Sequence, residues 1–231
     1  MAETALIVGA GSGLSASLAR LFAKEGMRVA LAARETGKLA ALVKDTGALS
    51  IACDASDAAQ IEPMFGAVEK KWGVPDLVVY NAGYRVRGPL VSLDPKEVER
   101  TIRITGYAGF LVAQGAAKRM LARGTGAIFF TGASASIKGY AESAPFAMGK
   151  FALRGLAQSM ARELAPRGIH VAHFVIDGGI ATGANDPRAQ ERGADGMLLP
   201  DEIARNYLHV YRQHRSAWTW EVELRPWVER F

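Results

Sequence analysis

The chain is poor in the side chains that could tie it together covalently or through metal ions. Its 231 residues include one cysteine, Cys53, and four histidines. A single cysteine excludes an intrachain disulfide and favours a reducing compartment. No CxxC or HExxH pair, the spacings typical of zinc ligands, is present. We therefore expect neither a disulfide scaffold nor a metal site.

Long apolar runs are also missing. No apolar stretch reaches the ~18 residues that a membrane span requires, and the first residues lead into a strand-like segment without the pattern of a signal peptide. Hydrophobic residues make up 49% of the chain and charged residues 22%, which is typical of a globular domain. We expect one cytoplasmic domain over residues 1–231, with no membrane partner.

The positive charge is concentrated in one stretch. The formal net charge is +5, and residues 85–123 hold eight Lys or Arg and three acids. Such a stretch is usually a solvated helix face; the alternative is a surface for an acidic partner or nucleic acid. Because there is no run of consecutive basic residues and no nucleic-acid motif, we expect no nucleic-acid partner.

Short apolar segments alternate with segments of helical periodicity along the chain. The apolar segments predict strands at residues 4–9, 28–33, 48–54, 76–81, 126–132, 169–176 and 218–224. The helical segments cover residues 14–26, 35–44, a stretch ending near 72, 95–123, 143–167 and 201–215.

This alternation predicts βαβ units and therefore an α/β fold with a doubly wound, Rossmann-type parallel sheet. The nearly continuous apolar strands agree, since both faces of such a sheet are covered. The segment 183–200 is rich in Gly, Pro and Asp and shows no periodicity. A loop of this length in a compact domain is typically a lid over a site or a disordered stretch.

A glycine-rich turn joins the first predicted strand to the first helix. Glycines there allow backbone N–H groups and the helix N-terminus to approach a pyrophosphate. We expect a dinucleotide to be bound by Gly9, Gly11, Ser12, Gly13 and Leu14.

The end of the second strand bears on the choice of dinucleotide. NAD sites usually place a carboxylate there for the ribose 2′-hydroxyl, whereas an arginine suits a 2′-phosphate. Here Arg34 has no acid before it, although Glu35 follows. The sequence favours NADP(H) with NAD(H) possible; alternatively, Arg34 only caps a strand end in solvent.

Further polar groups follow the third and fourth strands, at Asp54 and at Asn81-Ala82-Gly83. With these residues the chain resembles the short-chain dehydrogenase/reductase family over about residues 1–225. The family's TGxxxGxG turn is matched at Gly9 and Gly13, whereas Val8 replaces its threonine and Ser15 its third glycine.

The resemblance implies a role for each matched residue. Asp54 corresponds to the residue that contacts adenine, Asn81-Ala82-Gly83 to the family's NAG motif, and residues 177–182 to its PGxxxT segment, which holds the nicotinamide. That segment has Asp177 in place of proline. The cofactor contacts expected there are Gly178, Ile180 and Thr182.

The catalytic motifs depart from the family. Its YxxxK motif, a Tyr acid with a Lys that lowers the Tyr pKa and binds the ribose, becomes Phe146 and Lys150. The usual serine position falls on Ala133, with Ser134 adjacent and selected if the spacing is one shorter. The family's catalytic Asn falls near Thr105. Only Lys150 of the expected set is retained.

Another hydroxyl could replace the missing ones. Ser134 and Tyr140 are the first candidates, because they lie between the fifth strand and the next helix; each could equally be a wall residue. Asp177 could pair with Lys150, act as an acid if its pKa were raised, or cap its loop. The remaining candidates are Ser136, Ser143, Tyr84 and Tyr107.

Three functions fit these observations. The leading one is an NADP-dependent oxidoreductase with an atypical active site, acting on a small carbonyl or alcohol substrate. The second is a nucleotide-binding protein without catalytic activity, in a regulatory or scaffolding role. The third is a non-redox enzyme on the same fold, such as a dehydratase or epimerase, which would leave the cofactor's redox state unchanged.

The C-terminal region is rich in tryptophan, with Trp218, Trp220 and Trp227. Aromatic anchors are typical of protein interfaces, and the family uses its last elements for oligomer contacts. We expect a homodimer or homotetramer with residues 218–231 partly buried between chains. The alternative is that these rings pack within one chain.

Overall fold

Parallel strands form the central layer of the computed structural model, which describes residues 2–183, 186–193 and 195–229. The sheet has seven strands in the order β3-β2-β1-β4-β5-β6-β9, and every neighbouring pair is parallel. Its strands are β1 Thr4–Val8, β2 Arg28–Ala33, β3 Leu49–Ala52, β4 Leu77–Tyr80, β5 Gly126–Thr131, β6 Ile169–Ile176 and β9 Glu221–Leu224.

Helices connect these strands and cover both faces of the sheet. Their bounds are α1 Leu14–Lys24, α2 Ala40–Thr46, α3 Ile61–Trp72, α4 Pro95–Ile102, α5 Ala108–Arg123, α6 Ala144–Leu164, α7 Pro187–Arg192 and α8 Pro200–Tyr211. The predicted doubly wound α/β fold is confirmed. No helix among the described residues has the length and apolar character needed to cross a membrane.

The core lies in two layers because side chains of successive strand residues point to opposite faces. Phe65 of α3 and Leu153 of α6 belong to one layer, with Val171 of β6. Phe22 of α1 and Tyr207 of α8 belong to the other. The chain order reverses direction between β1 and β4, so the carboxyl ends of these two strands open a crevice, the usual ligand site of such sheets.

The helix predicted over residues 95–123 is interrupted. It begins regularly, since Asp94 caps the backbone N–H of Lys96 at 3.0 Å, but a π-helical turn at Arg103–Tyr107 separates α4 from α5. The Tyr80 hydroxyl donates a hydrogen bond to the Ile104 carbonyl within this turn. Such turns occur frequently at functional sites, and this one borders the crevice.

The segment 183–200 contains more structure than the sequence predicts. Asp186 caps α7 by accepting from the backbone N–H of Arg188 at 3.0 Å. The two-residue strand β7 Gly179–Ile180 precedes α7 and pairs in parallel with β8 Met197–Leu198, which follows α7. Residues 184, 185 and 194 lie outside the described residues, and the role of the segment as a lid remains a prediction.

Candidate active site

The glycine turn after β1 is shaped by close backbone contact. Gly9 has φ +85°, and a Cβ atom there would lie 2.4 Å from the backbone nitrogen of Ala82, so only glycine fits. A Cβ at Gly11 or Gly13 would meet nothing within 4 Å. The turn is thus closed towards β4 and open at its middle, a cradle that fits a dinucleotide pyrophosphate at the start of α1.

Ser15, at the position of the family's third glycine, ties this turn to the end of β4. Its hydroxyl donates to the carbonyl of Gly9 at 3.1 Å and accepts from the Asn81 side-chain amide at 2.7 Å. The departure from the motif therefore adds two hydrogen bonds. The sequence gives no signal for them, because Ser15 and Asn81 are 66 residues apart.

Asp54 is held as an anion beyond the end of β3. It accepts from the backbone N–H of Ser56 at 2.9 Å and from its hydroxyl at 2.7 Å. Burial alone would raise the pKa of Asp54, but these hydrogen bonds and the charges of Arg34 and Arg103 bring it below its usual value.

Arg34 is exposed and lines the same crevice as Asp54. The next residue, Glu35, is bound to Lys38 at 2.7 Å. The crevice is lined by six of the fourteen cofactor residues expected from the sequence, namely Gly9, Arg34, Asp54, Asn81, Ala82 and Gly83.

The expected nicotinamide contacts do not line this part of the crevice. Thr182 uses its backbone N–H and its hydroxyl to bind Asp186, at 2.9 and 3.0 Å. Ile180 packs against the core layer on the α1 side, and a Cβ at Gly178 would lie 2.8 Å from Pro226. Their roles towards a cofactor remain predictions.

Lys150 on α6 is buried, with 5% of its surface exposed. Its ammonium group donates to the carbonyl of Thr131 at the end of β5, at 2.6 Å. Burial lowers the pKa of Lys150 to about 8. A Cβ at Gly83 would lie 3.9 Å from Nζ, so Lys150 lies next to the predicted cofactor residues.

Phe146 lies one helical turn before Lys150, with its ring centroid 5.7 Å from Nζ. The guanidinium carbon of Arg85 lies 5.1 Å from the same centroid. The backbone N–H of Ala133 donates to the Ser136 hydroxyl at 3.1 Å. Neither Phe146 nor Ala133 can donate a proton from its side chain.

The comparisons agree with this geometry. A family model for short chain dehydrogenase matches residues 3–193. The chain belongs to the short-chain dehydrogenase family. D-threitol dehydrogenase of Mycolicibacterium smegmatis is 33% identical over 174 residues, which are 73% of this chain and 67% of that protein.

Two solved structures of similar proteins extend the likeness to nearly the whole chain. A short-chain dehydrogenase from Rhodopseudomonas palustris is 34% identical with a TM-score of 0.83, covering 97% of this chain and 99% of that chain. A variant of actinorhodin polyketide ketoreductase, solved with NADPH, is 25% identical with a TM-score of 0.89, covering 97% and 96%.

Several candidate replacements for the family's missing hydroxyls have other contacts. Ser136 is fully buried and bound to Ala133. The Tyr84 hydroxyl donates to Glu97 at 2.7 Å, and the ring of Tyr107 stacks on Phe110 at the surface.

Three candidates remain. Ser134 is half-buried and Tyr140 is exposed, so both could reach a substrate. Ser143 is buried, and its hydroxyl has no hydrogen-bond partner among the described residues.

Thr105, at the position of the short-chain dehydrogenase Asn, lies in the π-helical turn beside Lys150. A Cβ at Gly149 would lie 2.8 Å from the Cβ of Thr105, so the two segments are in contact. The Thr105 hydroxyl accepts from the backbone N–H of Tyr84 at 3.3 Å. It therefore fixes the loop after β4 rather than facing solvent.

Asp177 is buried beyond the end of β6 and pairs with cations other than Lys150. One carboxylate oxygen lies 3.6 Å from the Lys138 ammonium and 3.5 Å from the Arg225 guanidinium. Among the ion pairs of the described residues, none joins Asp177 to Lys150. Of the alternatives weighed for Asp177, the pair with Lys150 is not formed, because its carboxylate pairs with Lys138 and Arg225 instead.

A partly buried polar network lies behind Lys150, and no motif in the sequence indicates it. Arg154 donates two hydrogen bonds to Glu221 of β9, at 2.6 and 2.7 Å. Glu221 also binds Nδ1 of His173 on β6, at 3.0 Å. Burial lowers the pKa of His173 to about 4, although the charge of Glu221 opposes this.

Metal ligation is not indicated by the described residues. They contain no group of three or more His, Cys, Asp or Glu side chains arranged to hold an ion.

Proposed function

We propose that this chain binds NADP(H) in the crevice between β1 and β4 and acts as an oxidoreductase on a small carbonyl or alcohol substrate. The observation that carries the cofactor choice is Arg34, exposed on the crevice wall while the neighbouring Glu35 is bound to Lys38. A guanidinium that forms no ion pair within the described residues suits a ribose 2′-phosphate. The 25%-identical ketoreductase, whose structure was solved with NADPH, supports the same choice.

Each part of the crevice has its own task in this proposal. The N–H groups of the Gly9–Gly13 turn bind the pyrophosphate, Arg34 the 2′-phosphate and Asp54 the adenine, while Lys150 binds the nicotinamide ribose. Gly178, Ile180 and Thr182 hold the nicotinamide. When bound, NADPH supplies the hydride for reduction.

The proton for the substrate oxygen comes from a group other than residue 146. Ser134 and Tyr140 are the proposed donors, because both are accessible and lie in the segment that precedes α6. A positioned general acid typically contributes about 10²–10⁴-fold to a rate. We therefore propose that the substrate has a carbonyl that needs little acid assistance.

The cofactor choice is tested by measuring the dissociation constants of NADPH and NADH. A charge-assisted hydrogen bond contributes about 1.5–3 kcal/mol, so NADPH should bind about 10- to 150-fold more tightly than NADH. Arg34→Ala should remove most of this difference. Lys44→Ala is the matched control and should leave the difference unchanged, because Lys44 is an exposed cation of the neighbouring helix α2 that leaves the Glu35–Lys38 pair intact. Equal constants in the unmodified protein would refute the proposal.

A second candidate function is nucleotide binding without turnover. Phe146 and Ala133 favour it, because they remove both expected hydroxyls while the crevice beside β1 is intact. Single-turnover measurements with a panel of activated ketones and 2-oxo acids separate the two candidates. Consumption of NADPH with every substrate at the buffer rate would favour the second.

A cytoplasmic homodimer or homotetramer completes the proposal. Cys53 is buried and free, which agrees with a reducing compartment.

A further inference from the structure

Two cations flank the ring that occupies the position of the family's catalytic tyrosine. Arg85 lies two residues beyond Gly83, and its guanidinium carbon is 5.1 Å from the centroid of the Phe146 ring. The ammonium nitrogen of Lys150 is 5.7 Å from the same centroid. The reaction side of the crevice thus has an apolar ring with a positive group on each flank.

The charge of Arg85 is not matched by a carboxylate. Within the described part of the chain it makes no ion pair, and burial and the charge of Arg87 lower the pKa of its guanidinium. Arg100 provides the contrast, since it lies 4.4 Å over the Tyr84 ring and also contacts Glu97 at 3.5 Å.

Lys150 is also without an ion pair among the described residues, because its hydrogen bond goes to the neutral carbonyl of Thr131. The acidic residue of the adjoining segment, Glu142, is exposed, and no ion pair links it to Arg85 or Lys150 in the described ranges. Phe146 is therefore flanked by two positive groups without an ion pair in the described ranges, Arg85 exposed and Lys150 buried.

Arg85 is carried on a loop that is fixed on both sides. The backbone N–H of Tyr84 donates to the Thr105 hydroxyl at 3.3 Å, and the backbone N–H of Gly88 donates to the carbonyl of Glu142 at 3.0 Å. These bonds tie the loop to the π-helical turn and to the segment before α6. The backbone on either side of Arg85 is thus fixed, and the guanidinium itself contacts the Phe146 ring.

We propose that Arg85 is the anchor of a carboxylate subsite and that the substrates are 2-oxo acids or the corresponding 2-hydroxy acids. The planar guanidinium matches a carboxylate through two parallel hydrogen bonds, and Lys150 adds a second positive charge nearby. This inference rests on the proposed oxidoreductase function and names its substrate class.

The substrate class also accounts for the missing acid. A carbonyl bonded to a carboxyl group is more electrophilic than that of a simple ketone, and negative charge that develops on its oxygen lies beside Arg85 and Lys150. Electrostatic stabilisation of this kind reduces the acid assistance required from the proton donor, Ser134 or Tyr140. The apolar ring of Phe146 then provides a surface on which the flat substrate packs.

The subsite is tested directly by calorimetric titration of oxalate, a flat two-carbon dicarboxylate, at low salt without chloride. The protein is titrated saturated with NADP⁺ and also free of cofactor. Arg85→Met, which keeps an apolar stem over Phe146, should weaken oxalate binding about 10- to 100-fold. Arg85→Lys keeps the charge but loses the planar guanidinium. Its affinity for oxalate should therefore lie between those of Arg85→Met and the unmodified protein.

Arg87→Met is the matched control, because it removes the same charge from the same loop. It should weaken oxalate binding less than about threefold. Equal losses in the two methionine variants, or no loss in Arg85→Met, would overturn the proposal. Tighter binding of inorganic phosphate than of oxalate would overturn the carboxylate assignment.

A second measurement uses pairs of substrates. The ratio of kcat/KM for pyruvate over methyl pyruvate should fall at least about tenfold in Arg85→Met, while NADPH affinity stays unchanged. A preference for the ester in the unmodified protein would contradict the substrate class. Failure of NADPH binding would instead refute the proposed function, and the cofactor-free oxalate titration would still decide the role of Arg85.

Discussion

The half of the crevice beside β1 and β4 differs from the half beside β5 and α6 in how completely the expected polar groups are present. In the first half, Gly9, Asp54 and Asn81 all match the family and are fixed by hydrogen bonds or close contact. In the second half, Lys150 remains and Phe146 replaces the acid. An intact binding half is therefore compatible with strongly altered chemistry in the other.

The layers behind the two halves differ as well. Behind β1 and β2 the sheet packs on apolar side chains of α1 and α2, among them Phe22 and Leu42. Behind the end of β6 lies the network of Arg154, Glu221 and His173. The altered half is thus supported by a partly buried polar network, whereas the intact half is supported by apolar packing.

Restoring the missing hydroxyls gives the largest expected effect. The double variant Phe146→Tyr with Ala133→Ser should raise NADPH-dependent reduction of small activated ketones by about 10²–10⁴-fold. The added phenol lies one turn from Lys150, and the volume of the ring hardly changes. Stopped-flow or steady-state absorbance of NADPH measures the gain.

The control for this variant is the same pair of substitutions with Lys150→Met. It should abolish the gain, because the ammonium group is needed to lower the Tyr pKa. A folded, NADPH-binding double variant without any gain would mean that the two halves differ in more than these positions. Brisk ketone reduction by the unmodified protein would point to Ser134 or Tyr140.

A side chain at Gly9, in the glycine turn of the first half, should lower the stability of the fold. Gly9→Ala places a Cβ 2.4 Å from backbone at a left-handed φ, which should cost about 2–5 kcal/mol. Gly11→Ala is the matched control, because its Cβ meets nothing within 4 Å, and it should cost less than about 1 kcal/mol. Urea unfolding checks both values. Equal costs would contradict the close approach between Gly9 and Ala82.

Acid should lower the free energy of unfolding through His173, which lies in the second half. His173 has a pKa of about 4 in the fold against 6.5 for a free histidine, so between these values the unfolded chain binds a proton that the folded chain does not. The free energy of unfolding therefore falls as the pH falls from 6.5 to 4, by about 2–3 kcal/mol from this residue.

Urea unfolding at pH 7 and pH 4.5 measures this loss. His173→Asn, which keeps a donor for Glu221, should lose less free energy between the two pH values than the unmodified protein. His209→Asn, at an exposed histidine of α8, should leave the difference unchanged. The same acid dependence in all three proteins would exclude His173 as its source.

The smallest expected effect concerns the C-terminal tryptophan residues. Trp218 stacks on His170 at 4.7 Å, and Trp220 lies near Arg154, so these two rings have partners within the chain. Trp227 is 81% exposed. Residues 230 and 231 of the expected interface lie outside the described residues.

We therefore expect Trp227 to contribute to the predicted dimer or tetramer. Trp227→Ala should shift its dissociation constant by about tenfold or more, as for an interface anchor, with unchanged stability of the single chain. Light scattering at micromolar concentration measures the mass. A mass of 24.7 kDa for the unmodified protein would contradict the oligomer.

Much of this fold could be predicted because the strands are short, apolar and separated by helical patterns. The predicted segment 169–176 coincides with β6, and 126–132 differs from β5 by one residue. The π-helical turn at Arg103–Tyr107 could not be predicted, since the apolar periodicity continues through it. The role of Asp177 stayed open in the sequence because its partners, Lys138 and Arg225, come from distant segments.

The residues that line the crevice could be predicted as a group, because each follows a strand that ends at the same sheet edge. Arg85 could not, since its significance depends on a contact with Phe146, 61 positions away. His173 carried no local signal either, because its partner Glu221 is 48 residues distant. Sequence spacing identifies groups that one element brings together, and side chains paired across elements require coordinates.

The bridge from Asn81 through Ser15 to Gly9 has a kinetic consequence. It fixes the glycine turn through contacts within the chain, so the conformational entropy of the turn is lost when the chain folds and not when a dinucleotide binds. An arriving dinucleotide meets a single backbone conformation there. Its association is then governed by encounter and orientation, without a slow loop-ordering step after the first contact.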